Sequence, residues 1–198
     1  MQQAQLRFYF KEIGTMKKTL WMALLLMTTS FTWAEMPEDV KSLKGLEAVA
    51  MSVYVSNLEQ AKRYGLREYE IAKTMEKILR ENGIHPMTAE EQEKAPDSPV
   101  LNIKVTPMID EKYNACSIGI VVELKQSVKL VSDESIVVKN VATWQHNAIS
   151  LINVKLLLPG VSERIDTYLK DFIDDWCEAN GKPLRFKESN GKKDETEV

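Results

Sequence analysis

Apolar and polar residues alternate in four segments of the chain, and this period of two predicts β-strands. The first segment is Leu46–Val55, where both alternating sets are mostly apolar or small, so we expect a strand buried on both sides. The others are Val100–Met108, Cys116–Val128 and Ile136–His146. Short polar links separate these last three strands, which predicts an antiparallel meander.

Two further segments have apolar residues at the spacing of an amphipathic helix. They are Leu66–Asn82 and Val161–Asn180, and glycine follows each of them, as is common at helix ends. The proline-rich and acidic stretch Ile84–Pro99 between the first helix and the second strand is predicted to be a loop. The apolar run Ile149–Leu158 fits a strand or a helix, and Pro159-Gly160 is expected to interrupt it.

The predicted order is therefore β-α-β-β-β-α, which indicates an α+β fold, a two-layer α/β sandwich. We expect a four-stranded mixed sheet with both helices on one face, and a first strand parallel to the second through a right-handed crossover. The other sheet face stays partly open, and its candidate residues are Tyr54, Lys104, Lys125 and Lys139. Such a face is either plain solvated surface or a platform for a partner.

The N-terminal segment Met16–Ala34 has the pattern of a secretory signal peptide. Lys17-Lys18 precede an apolar run that is shorter than the roughly 20 residues of a membrane-spanning helix. We therefore expect cleavage after Ala34, a periplasmic product without a stable membrane anchor, and a true start at Met16 preceded by an extension, 1–15. Residues 35–180 are predicted to form a single domain, and 181–198 a disordered charged tail.

The charge balance excludes one class of partner. The chain has 26 basic and 29 acidic residues, a net charge of −3, and it lacks the clustered Lys and Arg that phosphate recognition needs. Removal of the basic leader makes the product more acidic still. Nucleic acid is thus not expected as a partner, whereas another cell-envelope protein or a small molecule is. The sequence leaves the oligomeric state open.

Two cysteines, Cys116 and Cys177, remain in the predicted domain. In an oxidising compartment such a pair is a candidate disulfide. Two separate buried thiols, each acting as a small apolar side chain, are the alternative.

Candidate catalytic and metal-binding residues are few. The two histidines, His85 and His146, belong to no ligand spacing, so no metal site and no cofactor are predicted. No phosphate-binding glycine loop or nucleophile elbow occurs. The carboxylates Asp171, Asp174 and Asp175 are interpreted as the solvated face of the second helix. We predict no catalytic residues.

The most distinctive short strand segment is Ala142-Thr143-Trp144-Gln145. In one interpretation, Trp144 packs in the core beneath the second helix. In the other, it lies at the mouth of a pocket with His146 and Asn147. The candidate residues for binding a ligand or partner are therefore Tyr54, Trp144, His146 and Asn147.

We expect a non-catalytic binding or envelope-associated module that acts through the exposed sheet face or edge, because pairing at a sheet edge needs no special side chains. The alternative is a small hydrolase or thiol-dependent enzyme that uses His146 or a free cysteine.

A resemblance to known proteins rests on Gly65-Leu66, Leu79-Arg80, Gly83-Ile84, Ala142-Thr143-Trp144 and Asp171-Phe172-Ile173. Over roughly Leu43–Asn180, the sequence resembles a group of small exported bacterial α/β proteins without assigned function. In architecture it is distantly similar to the N-terminal domain of TolB from the Tol-Pal system. This resemblance implies an envelope location and transfers no activity.

Overall fold

The computed structural model describes residues 36–186 of the 198. These residues belong to one compact unit. The predicted extension 1–15, the signal peptide Met16–Ala34 and the last part of the predicted tail lie outside the described residues. Within residues 36–186, no helix is both long and apolar enough to cross a bilayer.

The strands form one mixed sheet with the order β2-β1-β3-β4-β5. They are β1 (Ala48–Val55), β2 (His85–Pro86), β3 (Val100–Asp110), β4 (Ala115–Leu130) and β5 (Asp133–Asn153). Strand β1 is parallel to both β2 and β3, and the remaining pairs are antiparallel. The α+β class and the mixed sheet are confirmed. The predicted count of four strands is wrong, because β2 joins the sheet beyond β1.

Within residues 36–186, five helices accompany the sheet, where two were predicted. They are α1 (Glu38–Lys41), α2 (Leu58–Arg63), α3 (Glu68–Glu81), α4 (Ala89–Lys94) and α5 (Leu157–Ala179). Helices α3 and α5 correspond to the two predicted ones. The other three have four to six residues, too short for an apolar period to be visible. Strand β2 and helix α4 both lie in the stretch that was predicted to be a loop.

The ambiguous apolar run divides between β5 and α5. Strand β5 continues to Asn153, whose side chain accepts a hydrogen bond from the Lys155 N–H at 3.0 Å. A short 3-10 turn, Val154–Leu156, then leads into α5. Pro159 lies in the first turn of α5, where the missing N–H has no intrahelical partner to lose, so it does not interrupt the helix.

The core lies between α3, α5 and one face of the sheet, which we call the helix face. Alternate residues of β3 and β4 are buried on this face, and the residues between them lie on the opposite, open face. The largest fully buried side chains include Trp144, Phe172, Met75, Leu101 and Leu124. The period of two in β3 and β4 thus reflects a sheet that is covered on one side.

The segment after α5 differs from the predicted disordered tail at its beginning. Leu184 and Phe186 are partly buried against the core. The Asp174 Oδ1 atom accepts hydrogen bonds from the N–H groups of Arg185 and Phe186 at 2.7 and 3.0 Å. These contacts, which sequence reasoning missed, fix residues 184–186 against α5.

Candidate functional site

The four candidate binding residues lie on opposite faces of the sheet. Trp144 and His146 point to the helix face, where their β4 neighbours Leu124 and Val122 are buried. Asn147, one position further along β5, is exposed on the open face, and so is Tyr54 on β1. Because successive strand residues alternate between faces, these side chains do not form one pocket.

Trp144 is a core residue. Its side chain is fully buried, its indole N–H donates to Asp175 Oδ2 at 2.9 Å, and its ring meets Phe172 edge to face at 5.0 Å. The structure therefore agrees with the first interpretation of this tryptophan, packing beneath the second predicted helix, and it does not place the ring at a pocket mouth.

His146 covers the outer side of this tryptophan. Its ring stacks on Trp144 at a centroid distance of 4.7 Å, contacts Tyr168 at 5.4 Å, and its Nδ1 lies 3.4 Å from Asp171 Oδ2. The side chain is about one-third exposed. The surroundings are those of an aromatic ring packed between β5 and α5, with one carboxylate at its rim.

The sequence suggested that Asp171, Asp174 and Asp175 form a solvated face of α5, but two of the three are not solvated. Asp174 and Asp175 are buried at 1% and 8% exposure, whereas Asp171 is one-third exposed. Asp174 binds backbone N–H groups of the following segment, and Asp175 binds the indole of Trp144. Buried carboxylates require such partners, and here both serve to hold elements together.

Cys116 and Cys177 are free and buried, which corresponds to the second alternative, two separate thiols. Burial raises the pKa of Cys116, and it is also the main reason that the pKa of Cys177 is raised. The thiolate is the reactive form of cysteine, so a raised pKa disfavours thiol chemistry at both positions.

Along the first half of β3, the open face is mostly polar. Tyr54, Lys104, Val121 and Asn147 follow one another across the sheet in register. In the next row, Glu123 accepts hydrogen bonds from Asn102 and Lys125, each at 2.9 Å. Burial raises the pKa of Glu123, but the bonds from Lys125 and Asn102 outweigh it and hold the pKa below its usual value. Lys139, also predicted here, pairs with Asp97 at 2.7 Å.

Along the second half of β3, the open face carries exposed apolar side chains. Met108, Ile149 and Leu151 are 60%, 85% and 78% exposed, and we call these three residues the open-face patch. Ile149 pairs across the sheet with Gly119, and Leu151 with Ser117, which is in turn the register partner of Met108. Small residues on β4 thus separate large apolar side chains on β3 and β5.

Strand β5 is an edge strand, and within residues 36–186 no other strand pairs with its outer side. The Val154 N–H donates to the Asn114 carbonyl at 3.0 Å, directly beyond the Ala115–Asn153 register pair. In an antiparallel ladder the hydrogen-bonded pairs alternate, so the backbone groups of every second residue point outward. We call these outward-pointing residues the β5 edge: Gln145, Asn147, Ile149, Leu151 and Asn153.

Within residues 36–186, clefts border α5. One of about 250 Å³ lies between α5 and the helix face and is lined by Ile118, Ile120, Ser150, Ile152, Gly160, Glu163, Arg164 and Thr167. Another of about 380 Å³ lies between α3 and α5, near Arg67, Glu70, Thr74 and Ser162. Among residues 36–186, no group of His, Cys, Asp and Glu side chains could hold a metal ion.

No family model and no curated protein matches the sequence. Distant similarity to solved structures is found, for example in the following two. The PelC dodecamer from Paraburkholderia phytofirmans has a TM-score of 0.38 at 14% identity, over 67% of this chain and 90% of that chain. An uncharacterized protein has a TM-score of 0.34 at 10% identity, over 63% and 90%. Neither similarity is close enough to assign a function.

Proposed function

We propose that this chain is an exported, non-catalytic binding domain of the periplasm that recognises another cell-envelope protein through the open-face patch. The observation that carries the proposal is the exposure of three large apolar side chains, Met108, Ile149 and Leu151, with only the small β4 residues between them, on a sheet face that no described element covers. Single exposed apolar residues are ordinary, but contiguous ones mark interaction sites.

The surroundings of the patch support protein binding. Residues 145–153 of β5 include no Asp, Glu, Lys or Arg, although 28% of the chain is charged. The polar rows that contain Lys104, Glu123 and Lys125 lie beside it on the same face. An apolar centre with a polar rim is the usual anatomy of a protein interface. Burial of Ile149 or Leu151 against a partner contributes about 1.5–3 kcal/mol each to the free energy of binding.

Site-specific photo-crosslinking in the native host tests the proposal. A benzophenone amino acid at Ile149 should give an adduct with another envelope protein. The same group at Tyr69, which is 69% exposed on α3, should not. The partner is then purified, and Ile149→Ser should weaken its binding about tenfold or more. An Ile149 probe that yields no adduct with another protein, in a folded domain, contradicts the proposal.

Export is tested separately by the mass and location of the natural product. Cleavage after Ala34 predicts a chain that begins at Glu35 in the periplasmic fraction. A full-length chain in the cytoplasmic fraction would contradict export, and would leave binding at the open-face patch to be judged by the crosslinking result.

A further inference from the structure

We infer that the β5 edge pairs with the β5 edge of a second copy, antiparallel and around a two-fold axis at Ser150, so that two five-stranded sheets become continuous. This inference goes beyond the proposed recognition of another protein. It rests on the backbone groups of an edge strand, whereas the proposed function rests on side chains of the open face.

The β5 edge lacks the features that normally keep a strand edge from pairing. Natural edges are short, or carry charges, prolines or bulges. Residues 145–153 contain no proline and no Asp, Glu, Lys or Arg. The register shifts between β4 and β5 all lie on the far side of Trp144, so pairing from Trp144 to Asn153 is regular. Nine consecutive residues therefore present an even, uncharged edge.

The sequence of this edge is symmetric in character. In Asn147-Ala148-Ile149-Ser150-Leu151-Ile152-Asn153, an asparagine stands at each end and Ser150 at the centre. An antiparallel pairing about Ser150 brings Ile149 opposite Leu151 of the second copy and Asn147 opposite Asn153. Apolar side chains then face apolar ones, and amides face amides, as a self-complementary two-fold interface requires.

The backbone N–H and C=O groups of β5 point in the directions that this pairing needs. Asn147, Ile149, Leu151 and Asn153 belong to the β5 edge, so their N–H and C=O groups point away from β4. Each opposed pair can exchange two N–H···O bonds, while Ser150 meets Ser150 of the second copy as a non-hydrogen-bonded pair. On the open face, the pairing joins the Ile149 and Leu151 side chains of both copies into one larger apolar surface.

Charged residues of α5 lie near the same two-fold axis. A Cβ atom added at Gly160 would lie 3.3 Å from the Ile152 side chain, and the Phe172 ring contacts the Trp144 ring, so α5 runs antiparallel to β5. Glu163 and Arg164 consequently lie near Ser150, and all three line the 250 Å³ cleft. A two-fold axis at Ser150 brings the Glu163-Arg164 segments of the two copies beside each other, and each segment carries one charge of each sign. Charge complementarity therefore favours a second copy as the occupant.

A Ser150→Cys variant tests the axis directly. Non-hydrogen-bonded antiparallel pairs have Cα atoms about 4.5 Å apart, within the range of a disulfide. Mild oxidation should convert most of this variant into a covalent dimer. In the matched Asn147→Cys variant the two cysteines lie roughly 20 Å apart, so it should stay uncrosslinked. The native cysteines are buried in the unaltered chain, so the introduced cysteine is the accessible thiol.

A charge pair tests the register in a second way. Asn147→Lys with Asn153→Lys places like charges opposite each other and should raise the dimer dissociation constant at least tenfold. Asn147→Lys with Asn153→Glu places opposite charges there, and should dimerise as well as the unaltered chain. Both variants lose the same asparagines, so the difference between them reports the pairing.

The results separate this inference from the proposed function. A Ser150→Cys variant that does not crosslink, equal behaviour of the two charge variants, or a sedimenting species that is a monomer or larger than a dimer overturns the two-fold pairing. Adducts of the Ile149 probe with another protein are independent of these outcomes and bear only on partner recognition.

Discussion

The two edges of the sheet are built in opposite ways. The β2 edge is two residues long, His85–Pro86, and the next helix, α4, begins at Ala89. The β5 edge belongs to a strand of 21 residues that ends in an uncharged, regular stretch. One edge is therefore almost absent as a template for pairing, whereas the other offers backbone groups along nine residues.

Local chemistry explains the protection of the β2 edge. The N–H groups of His85 and Met87 donate to Glu47 and Val49 at 2.8 and 2.9 Å, toward β1. The nitrogen of Pro86 lies between them, at the position whose N–H would point outward, and proline has none. The contrast predicts that any association through a sheet edge is directed to the β5 side of the sheet.

The largest effect is expected where β5 is anchored, since among residues 36–186 this strand has a neighbouring strand on one side only. Trp144→Ala removes a fully buried ring and its bond to Asp175, and should lower the free energy of unfolding by about 3–5 kcal/mol. Trp144→Phe keeps a ring and should cost less. Urea denaturation measures both, and a loss below about 1 kcal/mol for Trp144→Ala would contradict its place in the core.

Giving β5 the protection of an ordinary edge should remove association without unfolding the domain. Ile149→Lys puts a charge into the centre of the β5 edge, so we expect self-association to weaken at least tenfold. Stability should change by no more than about 0.5 kcal/mol, because this side chain is 85% exposed. Tyr69→Lys on α3 is the control. Sedimentation that is identical for both variants would show that β5 is not the associating edge.

Removing the protection of β2 should have a moderate effect. Pro86→Ala restores an outward N–H and increases the freedom of the unfolded chain, so stability should fall by about 1 kcal/mol. No association should appear, since two residues are too short a template. The measurement is denaturation plus sedimentation in the Ile149→Lys background, where any dimer must arise elsewhere. A dimer in that background would contradict the proposed asymmetry of the edges.

The smallest effect concerns the cap that begins α4 beside β2. The backbone hydrogen bond from Thr88 is the largest cause of the lowered pKa of Glu91, followed by the bond to His85. A carboxyl whose pKa is lowered by folding stabilises the folded state above its ordinary pKa of 4.5, and this contribution disappears as the pH falls through the lowered value.

Glu91→Gln should accordingly be slightly less stable than the unaltered chain near neutral pH and equal to it in strong acid. Urea midpoints at the two pH values measure the difference. Glu93→Gln, on the same helix but outside the capping box, should show no such dependence. A difference that is the same at both pH values would contradict a role for the ionised carboxylate.

Sequence patterns correctly predicted the elements whose apolar pattern extends over many residues and is buried on one face. Strands β3 and β4 lie between a buried and an open face, so their alternation predicted them to within about two residues. Helix α3 has one apolar stripe and was predicted equally well. Strand β2 was missed because it consists of two residues whose pairing depends on β1, far away in the sequence.

The end of β5 was missed for a reason that bears on function. Ile149 and Leu151 are apolar on the open face, while Ala148 and Ile152 lie on the helix face, so polar alternation disappears there. Loss of alternation at the end of a meander was thus the readable signal for the open-face patch. The bond between Trp144 and Asp175 joins positions 31 residues apart, and no local pattern encodes it.

Residue-resolved amide exchange along β5 tests most directly whether its outer edge is an association surface. The N–H groups of Asn147, Ile149 and Leu151 point outward, and we predict that their exchange slows as the protein concentration rises. Those of Ala148 and Ser150 point to β4 and should be protected at every concentration. Outward N–H groups that exchange rapidly and equally at all concentrations would contradict association through the β5 edge.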